Sequence, residues 1–178
     1  MKIAISGKLC SGKSYLANYL VEKYDGCIYS FGYGVKKYCK ELFNMEYKDR
    51  KLLQDFAQKM RDIDKDVWVN YTINKINTDN SKHTIIIDDL RFPNEKEKLI
   101  KEGFLLICLT IDKELQIERI KKTYPDTYKE HIDRLDDISE SYIGTLGIPN
   151  IIHITKENEK NIHSLVDTYI NNYFFCLI

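Results

Sequence analysis

Eight residues near the amino end have the types and spacing for phosphate chemistry: Gly7-Lys8-Leu9-Cys10-Ser11-Gly12-Lys13-Ser14, a match to G-x-x-x-x-G-K-S/T. The glycines let the backbone curl so that successive N–H groups turn inward onto phosphate oxygens. A helical pattern follows at once, and its positive amino end adds to the same place. Lys13 is expected to reach the β- and γ-phosphates and the Ser14 hydroxyl to ligate Mg²⁺. Gly7, Lys8, Cys10, Ser11, Gly12, Lys13, Ser14 and Tyr15 thus make up the expected ATP and Mg²⁺ site. Chance produces the pattern in on the order of one chain in a hundred of this length. Here it also follows an apolar run and opens a helix, as the mechanism requires. Cys10 stands where any residue is allowed and reads as filler.

A second group lies further on, in Ile85-Ile86-Ile87-Asp88-Asp89-Leu90-Arg91. Alone, two adjacent acids fit a helix cap or a solvated turn equally well. Beside a phosphate loop they fit the acidic strand end that helps hold Mg²⁺, and Asp89 is assigned to the metal with Ser14. Arg91 is positioned to meet either the acceptor or the transferring phosphoryl group.

These groups need a scaffold, and the patterning supplies an alternation of strands and helices. Lys2–Ser6, Cys27–Phe31, Thr84–Ile87, Phe104–Thr110 and Ile151–Ile154 read as strands. Lys13–Tyr24, Val35–Phe43, Asp49–Ile63, Asp66–Asn77, Asn94–Glu102, Asp112–Lys122 and Asn158–Tyr173 read as helices, with Asp66 as a cap. Tyr124–Asp136 is polar and irregular. The expected fold is α/β, a three-layer arrangement of about five parallel strands with helices on both faces. No repeat or shift of composition divides the 178 residues, so one domain is expected.

Composition excludes several classes. Lys plus Arg and Asp plus Glu both number 27, which argues against bulk binding to nucleic acid. Hydrophobic residues at 43% and charged residues at 30% describe a globular chain. The five cysteines are scattered without a C-x-x-C pair, and the four histidines show no ligand spacing. A reduced, cytoplasmic setting is therefore expected. Met1–Gly7 is too short an apolar run for a signal peptide, and no stretch reaches the roughly 18 apolar residues of a membrane span. The apolar end Tyr173–Ile178 fits either core or a homodimer interface.

Asp-Leu-Arg-Phe-Pro-Asn-Glu (Asp89–Glu95) resembles the D-V-R-F-x-N-E motif of the deoxynucleoside monophosphate kinases of phages and large DNA viruses. Ser30–Phe43 is similar to that family's F-A-x-P-L-K…L-F segment, with Gly34 in place of Pro. Arg50–Val69 carries Arg50, Leu53, Gln54, Arg61 and Trp68, similar to R…L-Q…R…W-V. Ser139-Glu140 resembles the late H-x-S-E motif, with Asp137 where its His would stand, and Asp88 replaces a common Ser. With the phosphate loop, the resemblance covers most of Lys2–Tyr142.

Arg50, Gln54, Gln58 and Arg61 share one helical face opposite Leu52, Phe56 and Met60. Spacing alone fits a solvated face as well as a binding one. The resemblance implies an acceptor-binding helical region over about 33–78, with Arg61 holding the acceptor monophosphate and Gln54 beside it. A guanidinium suits that task because its planar fork meets phosphate oxygens in pairs. Lys36 matches the lysine of F-A-x-P-L-K, and Trp68 with Phe31 is read as packing against the base. The resemblance further implies a lid over about 119–136, opened by Arg119 as a phosphate contact and followed by Lys121, Lys122 and Arg134.

The expected activity is transfer of the ATP γ-phosphoryl group to a (deoxy)nucleoside monophosphate, with Lys13, Arg91 and Arg119 as catalytic charge. Two other readings remain open at this level: a kinase for another small metabolite such as shikimate or phosphomevalonate, and a nucleotide-binding module without turnover. A GTPase is disfavoured, because Asn74-Lys75-Ile76-Asn77 lacks the Asp of N-K-x-D and lies on a helical pattern.

Overall fold

The computed structural model describes residues 1–79, 83–133, 135 and 143–175. Five strands form one sheet in the order β2-β3-β1-β4-β5, and all four pairings are parallel. The strands are β1 (Lys2–Gly7), β2 (Gly26–Tyr29), β3 (Thr84–Leu90), β4 (Leu105–Ile111) and β5 (Asn150–Ile154). The helices are α1 (Lys13–Tyr24), α2 (Phe31–Phe43), α3 (Arg50–Ile63), α4 (Val67–Thr78), α5 (Pro93–Lys101), α6 (Lys113–Thr123), α7 (Tyr128–Asp133) and α8 (Ile162–Phe175).

The central strands are apolar on both faces, as strands covered on both sides must be. On one face Ile3, Ile5, Ile107 and Leu109 pack against Leu16 and Leu20 of α1 and Val166 and Ile170 of α8. On the other, Ala4, Ile87, Leu106 and Cys108 pack against Val69 and Ile73 of α4 and Leu99 of α5. A third, smaller core joins α2, α3 and α4 through Val35, Cys39, Ala57 and Trp68. These three helices form an arm beyond the sheet, and α3 is its outer member, burying only Ala57.

One irregularity positions the chemistry. Along β1–β3, Ala4 pairs with Ile87 but Ser6 pairs with Leu90, so β3 carries one extra residue. In a regular strand Ile87 and Leu90 would face opposite ways. The bulge returns both to the same core and sets Asp88 and Asp89 between them at the strand's carboxyl end.

The structure departs from the sequence pattern in several places, among them the closing helix, which starts at Ile162 and not at Asn158. Helix α2 starts at Phe31, four residues before Val35, because its first amides are capped from β3 and not by Ser30. Gly34 lies where α2 crosses α4; an added Cβ would fall 2.8 Å from Tyr71 Cδ1, so only glycine permits this approach. Asp66 precedes α4 without capping it; its carboxylate accepts instead from Asn94 Nδ2 at 2.9 Å. Within the segment read as irregular, Tyr128–Asp133 forms the short helix α7.

Candidate functional site

The phosphate loop connects β1 to α1. Gly12 has φ of 100° and Cys10 φ of 59°, the left-handed turns that curl it. An added Cβ on Gly7 would fall 2.6 Å from Ser11 Oγ and 2.7 Å from the Leu109 carbonyl, which requires glycine there. The carbonyls of Gly7, Lys8, Leu9 and Cys10 are all engaged by side chains. Lys13 Nζ donates to the carbonyls of Gly7 and of Lys8, the latter at 2.7 Å. Gln116 Nε2 donates to Leu9 O at 2.7 Å, and Arg119 Nη1 to Cys10 O at 3.2 Å. These bonds hold the loop in the curled form that turns its backbone inward around an anion.

Ser11 is fully buried and its Oγ finds no hydrogen-bond partner among the described residues. That orphan hydroxyl, with the cradle closed to a Cβ at Gly7, fits a triphosphate tail. Ser14 lies exposed on the first turn of α1. Tyr15, also exposed, turns toward α8, where its ring stacks on His163 with centroids 4.8 Å apart.

The two acids of the bulge have different surroundings. Asp89 accepts from the backbone N–H groups of Phe31 and Gly32, each at 2.9 Å, one on each carboxylate oxygen. Burial pushes its carboxyl up, opposed by those two bonds. It therefore anchors the amino end of α2, with both carboxylate oxygens engaged. Asp88 is the acid acted on by Lys13, and also by Lys36 and Arg91; burial raises its carboxyl and those cations lower it. A hydroxyl at Ser14 and a carboxylate at Asp88 form the hard oxygen donor set that suits Mg²⁺ beside phosphates.

Next to the bulge opens a cleft of about 600 Å³, of the size that small ligands fill. Phe31, Lys36, Gln54, Arg61, Asp89 and Arg91 all line it, as the sequence leads one to expect, together with Gln58, Phe92 and Glu95. Arg61 lies over the Phe92 ring, 4.6 Å from its centroid, and takes no hydrogen bond or ion pair among the described residues. Burial depresses its guanidinium and Glu95 opposes that. Glu95, only 4% exposed, uses Oε2 to accept from Arg91 N at 2.9 Å and Phe92 N at 3.0 Å. Burial pushes its carboxyl up to about 7.

Trp68 does not reach the cleft. It is 3% exposed, and its indole N–H donates to Ala57 O at 3.1 Å inside the α2–α3–α4 core. Its place against a base is thereby corrected: an apolar ring at this spacing is claimed by helix packing. Arg50 also leaves the polar face of α3, meeting His131 Nε2 of α7 at 3.4 Å.

At the expected lid, Arg119 braces the loop and pairs with Glu159 at 2.7 Å. Arg134, Asp137, Ser139 and Glu140 lie outside the described residues. The sequence reading missed Gln116, Glu159 and the inward role of Glu95. Only Glu95 left a local signal, as the acid two residues after Pro93 at a helix start.

No helix among the described residues is long and apolar enough to cross a membrane. No curated protein matches the chain. An uncharacterized protein from Eubacterium ventriosum matches over 96% of this chain and 98% of its own, at 20% identity and TM-score 0.59. A shikimate kinase from Acinetobacter baumannii in complex with shikimate matches over 97% and 94%, at 11% identity and TM-score 0.58. A shikimate kinase from Aquifex aeolicus matches over 98% and 99%, at 16% identity and TM-score 0.52. These likenesses identify the fold as that of the P-loop kinases, a five-stranded parallel sheet between helices. With the AAA domain family matched over residues 3–140, the phosphate loop, the acidic bulge and the cleft all fall within one homologous unit, and the chain belongs to the AAA domain family.

Proposed function

We propose that the protein is an ATP-dependent kinase that transfers the γ-phosphoryl group to the phosphate of a (deoxy)nucleoside monophosphate. One observation carries this reading: the acceptor cleft, with cations Lys36, Arg61 and Arg91 on its walls, begins at the bulge whose other acid is acted on by Lys13. Two anion sites thus share one strand end, which is where ligands bind in open parallel sheets. The resemblance of Asp89–Glu95 to D-V-R-F-x-N-E supports the nucleotide as acceptor.

A phosphate acceptor is already an anion at neutral pH, so no strong base is required. The obstacle is the repulsion of two polyanions, and fixed positive charge in a site closed to water removes it. Lys13 and the loop amides hold the triphosphate. Lys36 and Arg91, the cations that act with Lys13 on Asp88, take the acceptor phosphate. Arg61 has Glu95 and Phe92 as its neighbours, so we assign it to the acceptor's other end, a revision of the role the resemblance implies. Ser14 and Asp88 would hold Mg²⁺, which when bound spreads the charge of the β- and γ-phosphates. Arg119 adds charge beside the loop at Cys10.

The test is ADP release with ATP and each common nucleoside and deoxynucleoside monophosphate, with shikimate and phosphomevalonate alongside. ATP consumption that depends on an added nucleoside monophosphate is expected. Turnover with only a hydroxylated metabolite, or with none of the panel, overturns the reading.

A further inference from the structure

We propose that Arg61 and Glu95 together read the nucleobase of the acceptor and select guanine. The inference rests on the acceptor being a nucleoside monophosphate. On the wall of the cleft, two complementary groups are electrostatic neighbours, Arg61 and Glu95. The guanidinium of Arg61 lies over Phe92 with no hydrogen bond or ion pair among the described residues. Glu95 is buried, with Oε2 held by the amides of Arg91 and Phe92; Oε1 accepts no hydrogen bond from any described residue. The cleft therefore presents a donor fork and an acceptor oxygen that no described residue engages. Phe31, Val35, Leu53 and Ala57 supply apolar walls for a flat ring between them.

Guanine has the matching edge. Its N7 and O6 are adjacent acceptors, the usual partners of an arginine fork, and N1–H follows as a donor. Thymine and uracil offer O4 and N3–H but no N7, so they lose one bond. Adenine offers N7 beside N6–H, and cytosine N3 beside N4–H, each again one acceptor and one donor, so each also loses one bond of the fork. The second acceptor of cytosine, O2, lies beside its glycosidic bond, where reaching it would draw Arg61 toward the sugar. Leaving a buried polar group of the site unpaired is what rejects a wrong ligand.

The experiment measures kcat/KM for GMP, dGMP, AMP, CMP, UMP and dTMP, and for 7-deaza-dGMP and IMP. Guanine nucleotides are expected to lead the thymine, uracil, adenine and cytosine nucleotides by about tenfold each. With 7-deaza-dGMP, which lacks the N7 acceptor, a loss of about tenfold relative to dGMP is expected. IMP, which keeps N7, O6 and N1–H, is expected to stay close to GMP. Glu95→Gln presents an amide in place of the free oxygen and is expected to reduce the GMP-to-AMP ratio by about tenfold. A merely structural role for Glu95 would lower both substrates together. The analogue series needs only the wild-type enzyme and stands even if that variant fails to fold. Equal or better turnover of an adenine, cytosine, thymine or uracil nucleotide overturns the inference and leaves the kinase reading intact. Turnover of no nucleotide overturns both.

Discussion

The carboxylate of Asp89 accepts the backbone N–H of Gly32 at 2.9 Å, so strand β3 closes the amino end of the first helix of the acceptor arm. Its neighbour Asp88 accepts its own backbone N–H instead and is acted on by Lys13. Two adjacent acids should therefore fail differently. Asp89→Ala leaves two helix amides without their charged acceptor and is expected to cost about 2–4 kcal/mol of stability. Its acceptor KM should rise as the arm loosens. Asp88→Ala should melt within about 0.5 kcal/mol of wild type while kcat falls by about 10². Thermal melts and steady-state kinetics on the pair check this, and equal melting temperatures would refute the division of labour.

Lys13→Ala should lower turnover by about 10²–10³ and leave the fold in place. Its ammonium group bonds the local carbonyls of Gly7 and Lys8, away from both main cores. Circular dichroism alongside kcat separates loss of chemistry from loss of structure; wild-type turnover would remove Lys13 from the site.

Glu95 gives stability a pH dependence of definite sign. Its carboxyl rises from 4.5 in the unfolded chain to about 7 in the folded one. Below pH 4.5 both states hold the proton and burial carries no ionic penalty. Between 4.5 and about 7 the unfolded chain releases its proton first, so unfolding becomes easier as pH rises. Above about 7 the penalty is complete, on the order of 3 kcal/mol. Glu95→Gln removes this titration, so its melting temperature relative to wild type should climb from pH 5 to pH 8. A constant difference across that range would contradict it.

Gln116 bears on nucleotide affinity without touching nucleotide. Its amide holds the Leu9 carbonyl at 2.7 Å and it is 3% exposed, so Gln116→Leu leaves that carbonyl unpaired. The expected result is a rise in the KM for ATP of about tenfold, the equivalent of about 1.4 kcal/mol, with kcat changed less. Titration calorimetry with ATP measures the same shift directly.

How much of this is legible in the sequence depends on how local the cause is. The phosphate loop depends on glycines and a lysine within eight residues, and the apolar run Ile85–Ile87 announces its own strand. The early start of α2 is not local, since its cap comes from Asp89, 58 residues from Phe31. Trp68 reads as a binding residue until three helices are seen to close over it. The roles of Asp88 and Asp89 turn on a bulge that a two-residue period cannot show. Gln116 left no signal, because a single glutamine on a helix gives no hint of a loop 107 residues away.

That extra residue in β3 also separates what side chains tune from what the main chain dictates. The span between donor and acceptor pockets is written into the number of peptide units, so exchanging either acid alters charge but leaves the spacing alone. Shortening the strand there by one unit would restore a regular pleat and keep Leu90 in the core, two positions after Ile87, but would leave room for a single acid. The extra residue is thus what lets one strand end carry two carboxylates with separate tasks.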